Sequence, residues 1–144
     1  MSSIRSTLLA CVTGLAFGSL AMSFNGSIAA EPQVDGVYEL RTYTAAPGKM
    51  EALEARFKNH TIKLFEKHGM KNVLYWKPTN PEKQDLLIYL LWHKSEAAAK
   101  ESFAAFGKDP EWVAARKESE KDGKLTAKVE SLFLKTTDYS PKTH

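Results

Sequence analysis

Residues 86–92 read Leu86-Leu-Ile-Tyr-Leu-Leu-Trp92, seven apolar or aromatic side chains in succession. A strand with one wet face alternates apolar with polar; an unbroken run of this length predicts a strand covered on both faces. The polar turn Pro78-Thr-Asn-Pro-Glu-Lys-Gln-Asp85 precedes it, and before that comes a second short strand, Val73-Leu-Tyr-Trp76. Upstream, Val37-Tyr-Glu-Leu-Arg-Thr-Tyr-Thr44 is rich in aromatic and β-branched residues and is stopped by Pro47-Gly48, so it reads as a strand. Between these strands, Met50, Leu53, Phe57, His60/Thr61, Leu64 and His68 recur at spacings of three and four. That spacing predicts an amphipathic helix over Lys49–Lys67, ended by Gly69. Downstream of the apolar run, Ser95 caps a second helix over Glu96–Phe106. Asp109-Pro110-Glu111 restarts it, with Asp at the cap and Pro at the first helical position, and it continues to about Lys121. Ala127–Leu134 alternates as a last strand.

The order is β-α-β-β-α-β. It predicts an α+β, ferredoxin-like fold: a four-stranded antiparallel sheet with two helices on one face. Helices cover only that face, yet Leu86–Trp92 and Val73–Trp76 are apolar on both. In so short a chain the economical cover for the second face is another copy of the same sheet, so a homodimer is expected.

Composition bounds the rest. The chain has 144 residues, a net charge of +3 from 20 basic and 17 acidic side chains, and one cysteine. So balanced a charge is not the footprint of a nucleic-acid binder, and one cysteine excludes an internal disulfide framework or a multi-cysteine metal site. The first thirty residues hold a single charge, Arg5, ahead of the apolar, small-residue stretch Leu8–Met22 and the small exit Ser27-Ile-Ala-Ala30. This is the pattern of a secretory signal peptide over residues 1–30, cleaved after Ala29 or Ala30. The apolar stretch is short of the roughly 20 residues of a spanning helix. A lipoprotein reading at Cys11 lacks the apolar core that should precede the cysteine. A periplasmic or secreted bacterial protein is expected, without membrane attachment after cleavage. A short linker, 31–36, then leads to a domain over 37–139 and a frayed tail over 140–144.

Tyr38-Glu-Leu-Arg-Thr-Tyr43, with Pro47-Gly48-Lys49 after it and Asp109-Pro-Glu-Trp112 at the second helix restart, resembles the NIPSNAP family. The resemblance implies the dimeric α+β barrel fold over essentially the whole mature domain. It implies little about chemistry, because the family has no firmly assigned reaction. Related dimeric α+β barrels include cofactor-independent monooxygenases and haem-binding or haem-degrading enzymes, with sites in the cleft between helices and sheet.

Several residues stand out as candidates. His60 shares the helical stripe of Met50, Leu53, Phe57 and Leu64 and is expected to face the sheet, as a general base, a haem ligand, or a histidine bonded at the edge of the core. Glu39 and Arg41 share a strand face with Val37 and Tyr43, either as a structural pair, for example across the dimer interface, or with Arg41 free to bind a substrate carboxylate. Tyr43, Phe57, Trp76, Tyr89 and Trp92 are candidates to line an aromatic cleft or an interface. His93, at a strand end beside Lys94, is expected to be solvated, and His68 to sit at a helix C-terminus. No metal site is expected from four scattered histidines, and the basic residues of 117–128, interleaved with Glu118, Glu120 and Asp122, read as a solvated face.

Three functions follow. The first is a homodimeric module holding a small apolar or aromatic ligand, with no cofactor. The second is an enzyme, either a cofactor-free oxygenase or a haem protein, with His60 as base or ligand and Arg41 stabilising negative charge. The third is a partner-binding envelope protein without catalysis. A cleft filled by Trp76 and Phe57 would count against any ligand.

Overall fold

The computed structural model describes residues 36–141. The leader over 1–30, Cys11, all of the 31–36 linker but Gly36, and the last three residues of the tail lie outside them. Four strands, β1 (Val37–Ala45), β2 (Lys71–Trp76), β3 (Leu86–His93) and β4 (Thr126–Leu134), form one antiparallel sheet in the order β2-β3-β1-β4. Helices α1 (Met50–Arg56) and α2 (Ile62–Lys67), joined by a π turn over Phe57–Thr61, make the first crossover; α3 (Glu96–Lys108) and α4 (Pro110–Ser119) make the second. This is the ferredoxin-like α+β arrangement that the element order predicts.

Local chemistry sets the element ends. Gly48 and Gly69, at φ +71° and +77°, take the left-handed turns that close β1 and the first crossover. Ser95 accepts from the amide of Ala98, and Asp109 from that of Glu111, so both expected caps are in place. Among the described residues, no helix is long and apolar enough to cross a membrane.

Strand alternation divides the sheet. Val37, Glu39, Arg41, Tyr43 and Ala45 of β1 share a face with Leu87, Tyr89, Leu91 and His93 of β3, their register partners or neighbours. That face carries the core: Leu53, Phe57, Leu64 and Phe65 from the first crossover pack on Tyr89, Leu87 and Leu91, with Phe106 added from α3. Full burial of each such side chain contributes about 1.5–3 kcal/mol, and edge-on or tilted aromatic contacts at centroid distances of 5.0–6.2 Å link Phe57, Phe65, Tyr89 and Phe106.

Among the described residues, no helix covers the opposite face. Tyr38 and Leu40 of β1, Ile88, Leu90 and Trp92 of β3, Leu74 and Trp76 of β2, and Leu132 and Leu134 of β4 are register partners there. Leu74 and Leu132 are 52% and 58% exposed. Trp92 lies flat over Gly36, where a Cβ would come within 2.5 Å of the indole. Trp76 and Trp92 therefore belong to this open face and not to the helix–sheet space.

Candidate functional site

Three places on the described residues combine polar chemistry with enclosure. The first is a buried network on the helix side of the sheet. Glu39, 2% exposed, accepts from Arg41 Nη1 through one carboxylate oxygen and from His93 Nε2, 3.0 Å away, through the other. Arg41 Nε donates to the Tyr89 hydroxyl at 3.0 Å and Nη2 to that of Tyr43 at 3.5 Å, while the guanidinium lies 4.5 Å from the centre of the Phe103 ring. Burial pushes the Glu39 pKa up, but the hydrogen bond from His93 and the charge of Arg41 outweigh it, so the carboxyl sits below its ordinary range. An ionised carboxylate only accepts, so His93 Nε2 carries the proton facing it. His93 Nδ1 has no partner. Burial pushes the Tyr89 hydroxyl well above its ordinary value, which keeps it a neutral acceptor for Arg41.

This network corrects two expectations. His93 is 1% exposed and not solvated, because β3 runs one residue beyond Trp92 and alternation turns His93 inward opposite Val37. Glu39 and Arg41 do pair, but on the helix side and within one chain, not across the open face. Arg41 directs Nε to Tyr89, Nη1 to Glu39 and Nη2 to Tyr43, so each of its nitrogens already has a partner within the domain.

The second place is a cleft of about 130 Å³ between the helices and the β1–β4 side of the sheet. Tyr43, Phe57, Phe65, Phe106 and Trp112 give it aromatic walls, and Arg56, Arg116 and Glu120 give it charge. Arg56 is 5% exposed; its Nη1 donates to Glu120 at 2.9 Å, its guanidinium lies 5.1 Å from the Trp112 ring centre, and its Nε has no partner. Arg116 Nε donates to the other Glu120 oxygen at 3.1 Å. Burial raises the Glu120 pKa, but hydrogen bonds from Arg56 and Arg116 bring it down further, so it stays ionised. Phe57 fills part of the helix–sheet space; Trp76, the other residue expected to fill it, is on the far side of the sheet.

The third place is an open groove between α1 and α4, about 540 Å³, floored by Ala52, Ala55, Ala114 and Ala115 and rimmed by Asn59, His60, Glu118 and Asp122. His60 therefore lines the outer surface of the helices instead of facing the sheet. The π turn is the reason. Its wider i→i+5 spacing carries the inward position from Phe57 to Thr61, whose hydroxyl bonds the Arg56 carbonyl at 3.3 Å. Thr61 is 1% exposed. His60 and Arg41 are not brought together: Arg41 lines neither the cleft nor this groove.

The sequence reading passed over Arg56, Trp112, Arg116 and Glu120 as site residues, and it took Glu120 for part of a solvated face. Trp112 was visible only as a family mark. Arg56 adjoins the apolar stripe between Leu53 and Phe57, and a charge beside two inward positions was the one available signal. His68 at the helix end reaches the cap Asp109, with Nε2 and Oδ2 2.8 Å apart; hydrogen bonds from Lys67 and His68 hold that carboxyl well below its ordinary range. Among the described residues, no three His, Cys, Asp or Glu side chains converge as metal ligands would.

Haem does not fit these sites. The cleft is smaller than the roughly 300 Å³ at which drug-sized pockets begin, and no histidine lines it. His60 faces an open surface groove lined by small alanines and by Glu118, Lys121 and Asp122, which does not enclose a macrocycle.

Fold and cleft together define an α+β domain of the ferredoxin-like class. The NIPSNAP family model matches residues 38–141, and the chain belongs to that family. Solved structures agree. A NIPSNAP family protein from Agrobacterium tumefaciens is 20% identical at a TM-score of 0.64, covering 74% of this chain and 97% of its own. A second from the same organism, of unknown function, is 22% identical at 0.62, covering 74% and 92%. A cofactor-independent oxygenase from Streptomyces nogalater is 15% identical at 0.50, covering 75% and 99%, a likeness of fold alone. No curated protein matches the chain.

Proposed function

We propose that the protein is exported and works as a homodimeric module that holds one small, ring-sized ligand in the cleft between helices and sheet. The observation that carries this reading is the cleft itself: an unfilled space of about 130 Å³ with five aromatic side chains in its walls. An apolar cavity of about 150 Å³ accommodates benzene, so a single ring is the matching size. The ligand-holding reading is preferred to an oxygenase because no histidine lines the cleft and its one carboxylate, Glu120, is held ionised between two arginines. A general base for substrate deprotonation is absent from its walls.

The open face supports the dimer. Four strands about 4.8 Å apart and six to nine residues long give a face of roughly 400–500 Å² in projection, apolar except for Thr42, Thr44, Lys71, Lys128 and Glu130. That is the size of the largest apolar patch on a monomer, about 300–600 Å², which is often a binding surface. A second copy related by a two-fold axis presents the same apolar surface in return.

Sedimentation of the mature chain at micromolar concentration, followed by thermal melts with toluene, phenol and naphthalene, tests both halves. A dimer is expected. At ten times Kd, a single-ring compound adds about 1.4 kcal/mol, or about 5–10 °C in Tm for a domain of this size. Naphthalene, too large for the cleft, gives no shift. A monomer overturns the assembly, and a flat Tm across all three compounds overturns the ligand.

A further inference from the structure

The charges in the cleft say more about its occupant than its size does. Resting on the ligand-holding reading, we infer that the occupant is a single-ring carboxylate, its ring against Trp112 and Phe57 and its carboxylate on the edge formed by Arg56 and Arg116. Three charged side chains line the cleft, two of them cations and one an anion, so a monoanion completes the balance. Glu120 does not exhaust the arginines it bridges. One of its oxygens takes only Nη1 of Arg56, and the other only Nε of Arg116. A guanidinium presents five N–H donors in a rigid planar fork, matched to a carboxylate that accepts two of them side by side. On Arg56 the edge away from Glu120 begins with Nε, which is buried and has no hydrogen-bond partner. Arg116 is 59% exposed and keeps both of its terminal nitrogens free of Glu120, so it marks the mouth through which an anion enters.

The aromatic wall favours a flat partner. Trp112 lies against Phe106 with the rings tilted by 34° and 4.4 Å between centres, and the Arg56 guanidinium lies 5.1 Å from the Trp112 ring centre. A planar arene in the cleft gains the same kind of ring–ring contact from these side chains and from Phe57. The space of about 130 Å³ takes one ring and not two. Arg41 has a partner on each of its three nitrogens and does not line the cleft; Arg56 lines it and has a nitrogen without one.

Benzoate and benzamide have nearly the same shape and differ in charge, so calorimetric titration of the full mature protein with each one tests the inference. Benzoate is expected to bind at least about tenfold more tightly than benzamide at low salt, with the gap narrowing as salt is raised. Arg116→Gln is expected to abolish that preference by weakening benzoate at least about fivefold more than benzamide; as a change at an exposed position it should leave the fold intact by circular dichroism. Arg56→Lys, which keeps the charge but removes the fork, is expected to cut the preference as well. Equal affinity for the two ligands, or tighter binding of benzamide, overturns the carboxylate inference and leaves the ring-holding reading standing. Binding of neither overturns both. A benzoate preference untouched by either substitution places the anion elsewhere and overturns the inference too.

Discussion

The two faces of the sheet are built from the same strands and obey opposite rules. On the helix side the positions nearest the middle of β1 are Glu39 and Arg41, charged groups buried under an aromatic layer and satisfied by His93, Tyr89 and Tyr43. On the other side Tyr38, Leu40, Ile88, Leu90, Leu74 and Leu132 form an uncharged centre, with Lys71, Lys128 and Glu130 on the edge strands, and no described residue outside the sheet covers it. The usual pattern has the apolar residues under the helices and the polar ones outside. Here the inner face holds the specific, geometry-dependent contacts and the outer face holds area. The inner face should therefore fail by leaving a charge without its partner, and the outer face by losing association while each chain stays folded.

The largest effect is expected on the inner face. Glu39→Ala leaves Arg41 without its ion pair and His93 without its acceptor, and breaking a buried pair from one side costs about 3–5 kcal/mol. Urea unfolding of the variant against the wild type measures it; a loss under 1 kcal/mol would mean that the network is not the anchor described here. The pH dependence follows from the same group. Glu39 titrates lower in the folded protein than its ordinary 4.5, so its contribution to stability is complete above about pH 4.5 and is lost as pH falls through the folded value. Glu39→Gln has no such titration, so the stability gap between wild type and this variant should be constant near neutrality and shrink below pH 4.5.

The outer face gives the next effect. Leu74→Glu and Leu132→Glu place a carboxylate where a second sheet would pack. Both side chains are more than half exposed in the single chain, so the fold of each subunit should be unchanged within about 0.5 kcal/mol. Burying the new charge at the interface is expected to cost at least about 2 kcal/mol, or about 30-fold in the dimer dissociation constant. Analytical ultracentrifugation over a dilution series reads it. Variants as dimeric as wild type would show that this face is not where the copies meet.

How much of this was legible depends on which property decides the position. The element order and the two-faced demand of Leu86–Trp92 rest on periodicity, which a sequence displays, and β1 to β4 fall where the pattern puts them. The face taken by Glu39 and Arg41 rests on which side of the sheet the helices cross, and alternation alone is symmetric in that choice. His93 was hidden by a single residue of strand length. The cleft was hidden for a further reason: Arg56 and Glu120 are 64 positions apart and become partners only when α4 closes over the π turn. No local pattern carries that contact. Long-range charge pairing is thus the part of the site that a single sequence conceals, while the apolar frame around it is open to reading.

The smallest effect tests the residue that the sequence made most prominent. A straight α-helix through Leu53 and Phe57 brings His60 and Thr61 about equally toward the sheet; the π turn breaks the tie in favour of Thr61. His60→Ala should then cost less than about 0.5 kcal/mol, the scale of a surface change, whereas Thr61→Ala removes a buried hydroxyl bonded to the Arg56 carbonyl and should cost about 1 kcal/mol. Because His60 faces an open alanine groove, titration with haem is expected to give no Soret band that depends on it. A His60→Ala loss exceeding that of Thr61→Ala, or a Soret band that disappears in the His60 variant, would return His60 to the interior and require an unbroken α-helical register between Arg56 and Ile62. The order of the two losses is thus a direct reading of whether the π turn, rather than the apolar stripe, decides which side chain meets the sheet.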